Sequence, residues 1–465
     1  MKYTAINIGP IVKTLGMARK PKGLWAASYL FSHLMKCIYE EVEKEDVKII
    51  SPDIPESEMN KVGIYPDRIF VKGEIDEANV MANALAAFNK SIENEGDNSG
   101  ILDLKYFNLM AVSTDVDKDS KALKELNRKL DLMELFNLAK DGNTEKRIYQ
   151  LISRDEDSPL FKIATGKSYM SIPKLEDIAN TQKKEKDDMK SHHKYFCVVQ
   201  ADGDNVGKII SHEDLEDGKV KEISKELVQF GLDAVKKIED FGGLPIYAGG
   251  DDLLFIAPVV GKNGKDIFNL LDVIENESFK GVHDLVHALS LNDGKGNKLN
   301  ASLSFGISIN YHKHPLYEAL ESARNLLFQN AKKDKEKNAI AWSLRKHSGG
   351  TIEAVVSKKD TTLWNQYRKL IEATTDDDTV SAVAHKLRQE NDLVDIVLAS
   401  DDGNRLDALF EKFLEYDDKK KGYFDAVKTI MPTLYKKYGK DDYSKNLYCL
   451  LRTAKFIKGE VLRDE

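Results

Sequence analysis

Apolar and polar positions change their period several times along this chain. Tyr195-Phe196-Cys197-Val198-Val199-Gln200-Ala201 is a nearly continuous apolar run of strand length, the pattern of a strand covered on both faces. Beyond it, Ile223, Leu227, Phe230, Ala234 and Ile238 recur at three- and four-residue spacing and Gly242-Gly243 comes after them, which predicts an amphipathic helix with its terminator. Two further runs, Leu244 to Ala248 and Leu253 to Ala257, flank Gly249-Gly250-Asp251-Asp252 and predict a hairpin. A helical segment near Val282 to Leu289 and a strand from Ala301 to Ile309 come next. Pro315 then opens a helix with Leu316, Leu320, Ala323, Leu327 and Ala331, and Ala339 to Trp342 forms a last apolar strand.

Strand, helix, hairpin, helix, strand is the ferredoxin-like alternation, here with one added helix and strand, and the expected class is α+β. A right-handed crossover would make the first strand a neighbour of the hairpin. That matters because the first strand runs straight into Asp202-Gly203-Asp204-Asn205. Gly-Gly followed by acids is an ordinary solvated turn when it stands alone. With a second carboxylate cluster ending an adjacent strand, Asp202 and Asp251 can reach one ion. Magnesium, or manganese in its place, suits a few carboxylates plus a backbone carbonyl such as that of Gly203, with substrate phosphates completing the shell. Two such ions would activate a hydroxyl, orient an α-phosphate and neutralise the leaving pyrophosphate. Asn205 to Lys208 would open a helix whose free amides favour phosphate, and Lys332 would add a cation to a triphosphate.

The combination Asp202-Gly203-Asp204-Asn205-Val206-Gly207, Tyr247-Ala248-Gly249-Gly250-Asp251-Asp252, Ser304-Phe305-Gly306-Ile307 and Ala331-Lys332 resembles the second palm domain of the large polymerase/cyclase subunit of type III CRISPR effector complexes. Ile8-Gly9-Pro10-Ile11, Ala18-Arg19-Lys20, Leu24 to Leu30 and Gly63-Ile64-Tyr65-Pro66-Asp67-Arg68-Ile69-Phe70 resemble the first palm of that subunit, in its III-B branch. The resemblance implies two ferredoxin-like, nucleotidyl cyclase-like palms facing each other across a groove for two ATP molecules. It implies catalysis by Asp251, Asp252 and Asp202, metal ligation by Asp202, Gly203, Asp251 and Asp252, and nucleotide binding by Gly249, Gly250, Asp204, Asn205, Gly207, Ser304 and Lys332. The first palm has Asn7-Ile8-Gly9-Pro10 and Tyr65-Pro66-Asp67-Arg68 at the corresponding places. One acid cannot replace four, so the first palm reads as a degenerate partner.

The expected domains are a first palm with a helical insertion over 1–180, a linker over 181–194, the catalytic palm over 195–350 and a C-terminal helical domain over 351–465. Within the insertion Leu123, Leu126, Leu130, Met133 and Phe136 mark an amphipathic helix; in the last domain Val380, Val383, Ala384 and Leu387 form one stripe, and Leu406, Leu409, Phe410 and Phe413 another. The family's HD nuclease domain has no room before Met1. His283-Asp284 and His192-His193 read as a helix-surface pair and as linker, so no HD nuclease activity is expected.

Three dispersed cysteines, Cys37, Cys197 and Cys449, exclude a zinc ribbon or a disulfide framework and fit a reducing cytoplasm. A net charge of −8 argues against a protein that coats nucleic acid alone, and no apolar run is long enough to span a bilayer. The expectation is a cytoplasmic, target-RNA-activated synthase that makes an adenylate second messenger from ATP, cyclic oligoadenylate by default. By resemblance its partners are an adjacent RNA-binding repeat subunit, small helical subunits, guide RNA and target RNA. Adenylylation of another acceptor such as S-adenosylmethionine would use the same metal centre; a non-catalytic scaffold and a stand-alone nucleotide cyclase are the other readings.

Overall fold

The computed structural model describes residues 1–55, 62–92, 106–134, 142–153, 159–165, 171–333, 337–375, 378–412, 414 and 420–459. The first sheet is built from β1 (Lys2–Asn7), β2 (Lys48–Ser51), β3 (Arg68–Lys72) and β4 (Met110–Asp115) in the order β2-β3-β1-β4. The second contains β5 (Tyr195–Asp204), β6 (Leu244–Gly249), β7 (Asp252–Pro258), β8 (Ser302–Tyr311), β9 (Ala339–Arg345) and β10 (Thr351–Ser357), ordered β10-β9-β8-β5-β7-β6. In each palm the first strand lies between the hairpin's second strand and the fourth strand, antiparallel to both. Both palms are therefore ferredoxin-like, as expected.

A single helix explains why the palms form one body. Pro21–Val42 begins with proline at its first turn and buries Leu24, Trp25, Leu30, Phe31, Leu34 and Ile38. An amphipathic helix on one sheet needs a single apolar stripe, but this one is buried around most of its circumference because a second surface covers it. That surface is edge strand β6, whose Leu244 and Ile246 share the same apolar cluster. The loop before β3 then extends the second sheet: Ala248 N donates to the Gly63 carbonyl at 2.9 Å, and Gly63 pairs with Tyr247 in a parallel bridge. A Cβ at Gly63 would sit 3.1 Å from Ser28 Oγ and 3.4 Å from the Tyr247 ring, so the close approach favours glycine.

Two expected boundaries are corrected. Thr351–Ser357 is strand β10, paired antiparallel with β9, rather than the start of the helical domain. Its Ala354 and Val356 are buried in the main core, while half-buried Val355 packs on the other face against Leu326, Leu327 and Ala339, a strand after a Gly349-Gly350 turn that the reading of the region as helical overlooked. The stretch 181–194 is also no free linker. His192 and His193 are buried in a short 3-10 turn, with burial pushing His192 down to about 3, so it is held neutral. Lys190 beside them donates to the Lys458 carbonyl at 3.2 Å.

The C-terminal helices are Thr361–Ala373, Asp378–Gln389, Asn391–Ala399, Gly403–Lys412 and a long element Lys421–Lys458, kinked at Gly439, where φ is 72°. The predicted stripes at Val380, Val383, Ala384, Leu387, Leu406, Leu409 and Phe410 are buried; Phe413 and Phe136 lie outside the described residues. His283 and Asp284 sit exposed on helix Lys280–Leu289, and all three cysteines are free and buried. Among the described residues no helix is long and apolar enough to cross a membrane.

The helical domain is bolted to the second palm by Arg368, whose Nη1 and Nη2 donate to Asp266 at 2.9 and 3.2 Å while Nε lies 3.3 Å from Asp272. Burial pushes Asp272 up to about 6 against the pull of Arg368. Arg368→Met should lower the unfolding free energy by about 3–5 kcal/mol in denaturant titration, because it leaves two buried acids without their cation.

Candidate active site

Strands β5 and β7 run side by side with Ala201 opposite Leu253, so Asp202 leaves one strand beside the point where Asp252 enters the other. Gly249 pairs with Asp252 across the hairpin, and Gly250 takes φ +64° to close the turn. Gly203 is needed for a different reason. A Cβ there would stand 2.6 Å from both Cβ and Oδ2 of Asp251, so only glycine lets that carboxylate close on the strand. At Gly207 and Gly250 an added Cβ meets nothing within 4 Å, so both glycines border open space.

Lys332 ties the cluster together. Its ammonium lies 2.6 Å from Asp202 Oδ2, donates to the Gly203 carbonyl at 3.0 Å and stands 3.6 Å from Asp204 Oδ1. The helix Leu316–Asn325 widens into a π-helical stretch, Leu326–Ala331, immediately before it. That stretch packs on Gly306 of β8, where a Cβ would be 2.2 Å from the Ala323 carbonyl oxygen and 2.5 Å from Leu327 N. Gly306 thus sets how closely the helix, and with it Lys332, approaches the strand.

Asp204 and Ser304 have tasks other than the expected contact with nucleotide. Both are fully buried. Asp204 Oδ2 accepts from Ser302 Oγ (3.0 Å), Ser304 Oγ (2.8 Å) and the Asn338 amide (2.7 Å), so these groups form a support behind the open face. Asn205 is left-handed, with φ 63°, and its side chain donates to the Asn300 carbonyl at 3.1 Å. The helix it opens, Val206–Ile210, has only five residues, so the expected dipole contribution is small.

The electrostatics set the chemistry. Burial, then the charge of Asp202, pushes Asp251 up to about 7; burial, then Asp251, pushes Asp252 well above the carboxylate range. Asp202 is raised by burial although Lys332 pulls it down. A fourth acid, Asp67, comes from the first palm: burial raises it, and its charge adds to the load on Asp251 and Asp252. Sequence reasoning placed Asp67 in a degenerate hairpin and missed that this hairpin lies on β6, a contact that no local pattern encodes.

In the first palm the equivalent corner is closed. Asn7 pairs with Arg68 across β1 and β3, and Arg68 donates to Asn127 (2.7 Å), Asp131 (2.8 Å) and Glu134 (2.9 Å) on helix Asp119–Glu134. Asn7 Nδ2 also donates to Glu134 at 2.8 Å. A guanidinium and its partners fill the corner that carboxylates occupy in the second palm.

Residues 195–341 match the Cas10/Cmr2 second palm domain, and residues 3–98 match the N-terminal domain of CRISPR-associated protein Cmr2. The chain is a Cas10/Cmr2-like protein. Over 225 residues it is 28% identical to CRISPR system Cmr subunit Cmr2 of Pyrococcus furiosus, a match that spans 43% of this chain and 24% of that relative. The Cas10/Cmr2-like fold extends further than the sequence similarity. A Csm1-Csm4 cassette in complex with AMPPNP superposes with a TM-score of 0.53 over 97% of this chain and 69% of that one, at 12% identity. The type III-B Cmr-beta complex bound to cognate target RNA gives 0.53 over 89% and 78%, at 10% identity, and a Csm1-Csm4 cassette with cA4 gives 0.51 over 92% and 70%, at 12% identity.

Asp251 provides a test without any ligand. Its folded pKa lies above the ordinary value near 3.9, so its stabilising protonated form is lost as pH rises through about 7. Between pH 6 and 8 the ligand-free protein should lose about 1 kcal/mol of stability from this group. Denaturant titrations across that range should show the loss, and Asp251→Asn should reduce it to the part that Asp252 contributes.

Proposed function

We propose that this chain is a metal-dependent nucleotidyltransferase, activated by target RNA inside a type III CRISPR effector complex, that makes an adenylate second messenger from ATP. One observation carries the reading. Asp202, Asp251 and Asp252 converge beside Gly207 and Gly250, which border open space, with one lysine against an excess of buried negative charge. Such a cluster is costly unless a cation joins it.

The residues fit magnesium or manganese. The Gly203 carbonyl and Asp202 carboxylate already hold one cation, the Lys332 ammonium. Among the described residues no three acids, histidines or cysteines are placed to hold a metal ion by themselves, so Asp202, Asp251 and Asp252 share one neighbourhood without forming a complete ligand set. This suits an ion that takes much of its shell from water and substrate phosphates. Asp202 and Asp251, with the Gly203 carbonyl, would hold the metal, and Asp252 would support them; when bound, it would polarise the α-phosphate and neutralise charge on the leaving group.

The remaining roles belong to the chain. Gly249 and Gly250 keep the hairpin tip free of side chains so that the triphosphate can approach, and Gly207 leaves the opposite wall clear. Lys332, whose ammonium already lies beside the Asp202 carboxylate, would pair with the β- and γ-phosphates. Asp204, held by Ser302, Ser304 and Asn338, keeps that lysine in reach. A hydroxyl then attacks the α-phosphorus and loses its proton to solvent, a new P–O bond forms, the bond to pyrophosphate breaks, and a phosphodiester results. Cyclic oligoadenylate is the proposed product. An RNA-binding repeat subunit, small helical subunits, guide RNA and target RNA are the proposed partners in the cytoplasm. AMPPNP and cA4 in the Csm1-Csm4 cassettes, and target RNA in the Cmr-beta complex, support the reading.

The assembled complex with guide, matched RNA, magnesium and labelled ATP should yield an adenylylated product identifiable by mass. Asp251→Ala/Asp252→Ala should reduce it by at least ~100-fold, the scale on which charge-stabilising groups act. Undiminished synthesis would refute the site, and absence of any product under activation would favour a scaffold. Magnesium should also raise the melting temperature more at pH 8 than at pH 6, since ligation needs Asp251 ionised.

A further inference from the structure

A second buried ion pair stands behind the site, apart from the groups that would hold metal or phosphate. Lys358, just past the end of β10, is 7% exposed, and its ammonium pairs with Glu275. The same ammonium donates to the Leu303 carbonyl at 2.8 Å and lies 4.7 Å from the centre of the Phe305 ring. Glu275 Oε1 in turn accepts from Leu303 N at 3.5 Å. Leu303 sits between Ser302 and Ser304, the two residues whose hydroxyls grip Asp204. Lys358 also reaches the third group on Asp204: its backbone amide donates to the Asn338 carbonyl at 2.8 Å, and the Asn338 amide donates to Asp204. Lys337 and Asn338 both adopt positive φ, 45° and 48°, a conformation that non-glycine residues hold only when surrounding contacts impose it.

All three donors to Asp204 are therefore fixed through one residue. Stability alone does not account for a buried ion pair in this place, because apolar residues of similar volume usually serve as well or better. We propose that Lys358 and Glu275 are positioning residues for the nucleotidyl-transfer site. They fix Ser302, Ser304 and Asn338 on Asp204, Asp204 steadies Lys332, and Lys332 sets Asp202. Since β10 leads directly into helix Thr361–Ala373, the pair also links the site to the helical domain. The inference rests on reading Asp202 and Asp251 as the metal-holding carboxylates, but its first consequence, an immobilised Lys332, needs no metal.

The test uses the full chain carrying Lys358→Met, Glu275→Leu/Lys358→Met or the milder Glu275→Gln, with Lys72→Met as a control that breaks the Lys72–Asp119 pair of the first palm. Lys332 is shielded, its side chain 13% exposed. Its acetylation rate in the folded protein, read by mass spectrometry without metal or nucleotide, should rise about tenfold in the double variant, the effect typical of outer-shell partners. Glu275→Gln should move it the same way by less, and Lys72→Met should leave it unchanged. The manganese concentration giving half-maximal thermal stabilisation should rise about tenfold in the double variant while its melting temperature recovers relative to Lys358→Met alone. Wild-type protection of Lys332 in the double variant would overturn the inference. A wild-type protein whose stability does not respond to metal would refute the metal-site reading, and Lys332 protection would then decide this proposal by itself.

Discussion

The active corner depends on the need of buried carboxylates for a cation. Asp202 and Asp204 end one strand, Asp251 and Asp252 begin the next, and the Lys332 ammonium is within 4 Å of only the first two. Burial is the largest cause that raises Asp251 and Asp252; the charge of Asp202 raises Asp251 further, and those of Asp251 and Asp202 raise Asp252 further. A fold optimised only for stability would not place four acids there. The surrounding features answer that cost: Gly203 admits Asp251, Gly306 admits the π-helical stretch that delivers Lys332, and three donors satisfy one oxygen of Asp204.

The two palms solve the same geometric problem differently. Each brings the end of its first strand against the start of its third. In the second palm that meeting point collects carboxylates; in the first, Arg68 bonds to Asn127, Asp131 and Glu134 of its own palm's helix and closes the corner. The first palm still acts on the second, because Gly63 extends the sheet at β6 and Asp67 adds negative charge beside the hairpin. A degenerate domain has thereby become part of the wall and of the field of the site. The helical domain joins on the opposite side through Arg368 and through the Trp342 indole, which donates to Thr453 at 3.1 Å.

Much of this was legible in the chain itself. Period-two and period-3.6 patterns identify the strands and helices of the second palm, and the paired motifs ending β5 and beginning β7 locate the acids, because right-handed crossover dictates which strands are neighbours. Other features were not. β10 is a short edge strand before a helical region, so its weak alternation was outweighed by the stronger helical periodicity after it. His192 and His193 look like linker until the C-terminal helix covers them. Ser304 and Asp204 carry polar side chains that in sequence resemble ligand contacts, and only burial reveals them as support.

Sequence alone determined the identity and order of the elements and the acids that end adjacent strands, because periodicity and turn chemistry act over a few residues. Tertiary structure decided which side chains face the open groove, which ones brace them from behind, and that Asp67 and Lys358 belong to the same neighbourhood. Both residues are remote in the chain from the acids they influence. Their effect arises from burial, sheet-edge pairing and electrostatic fields, which depend on proximity in space rather than along the chain.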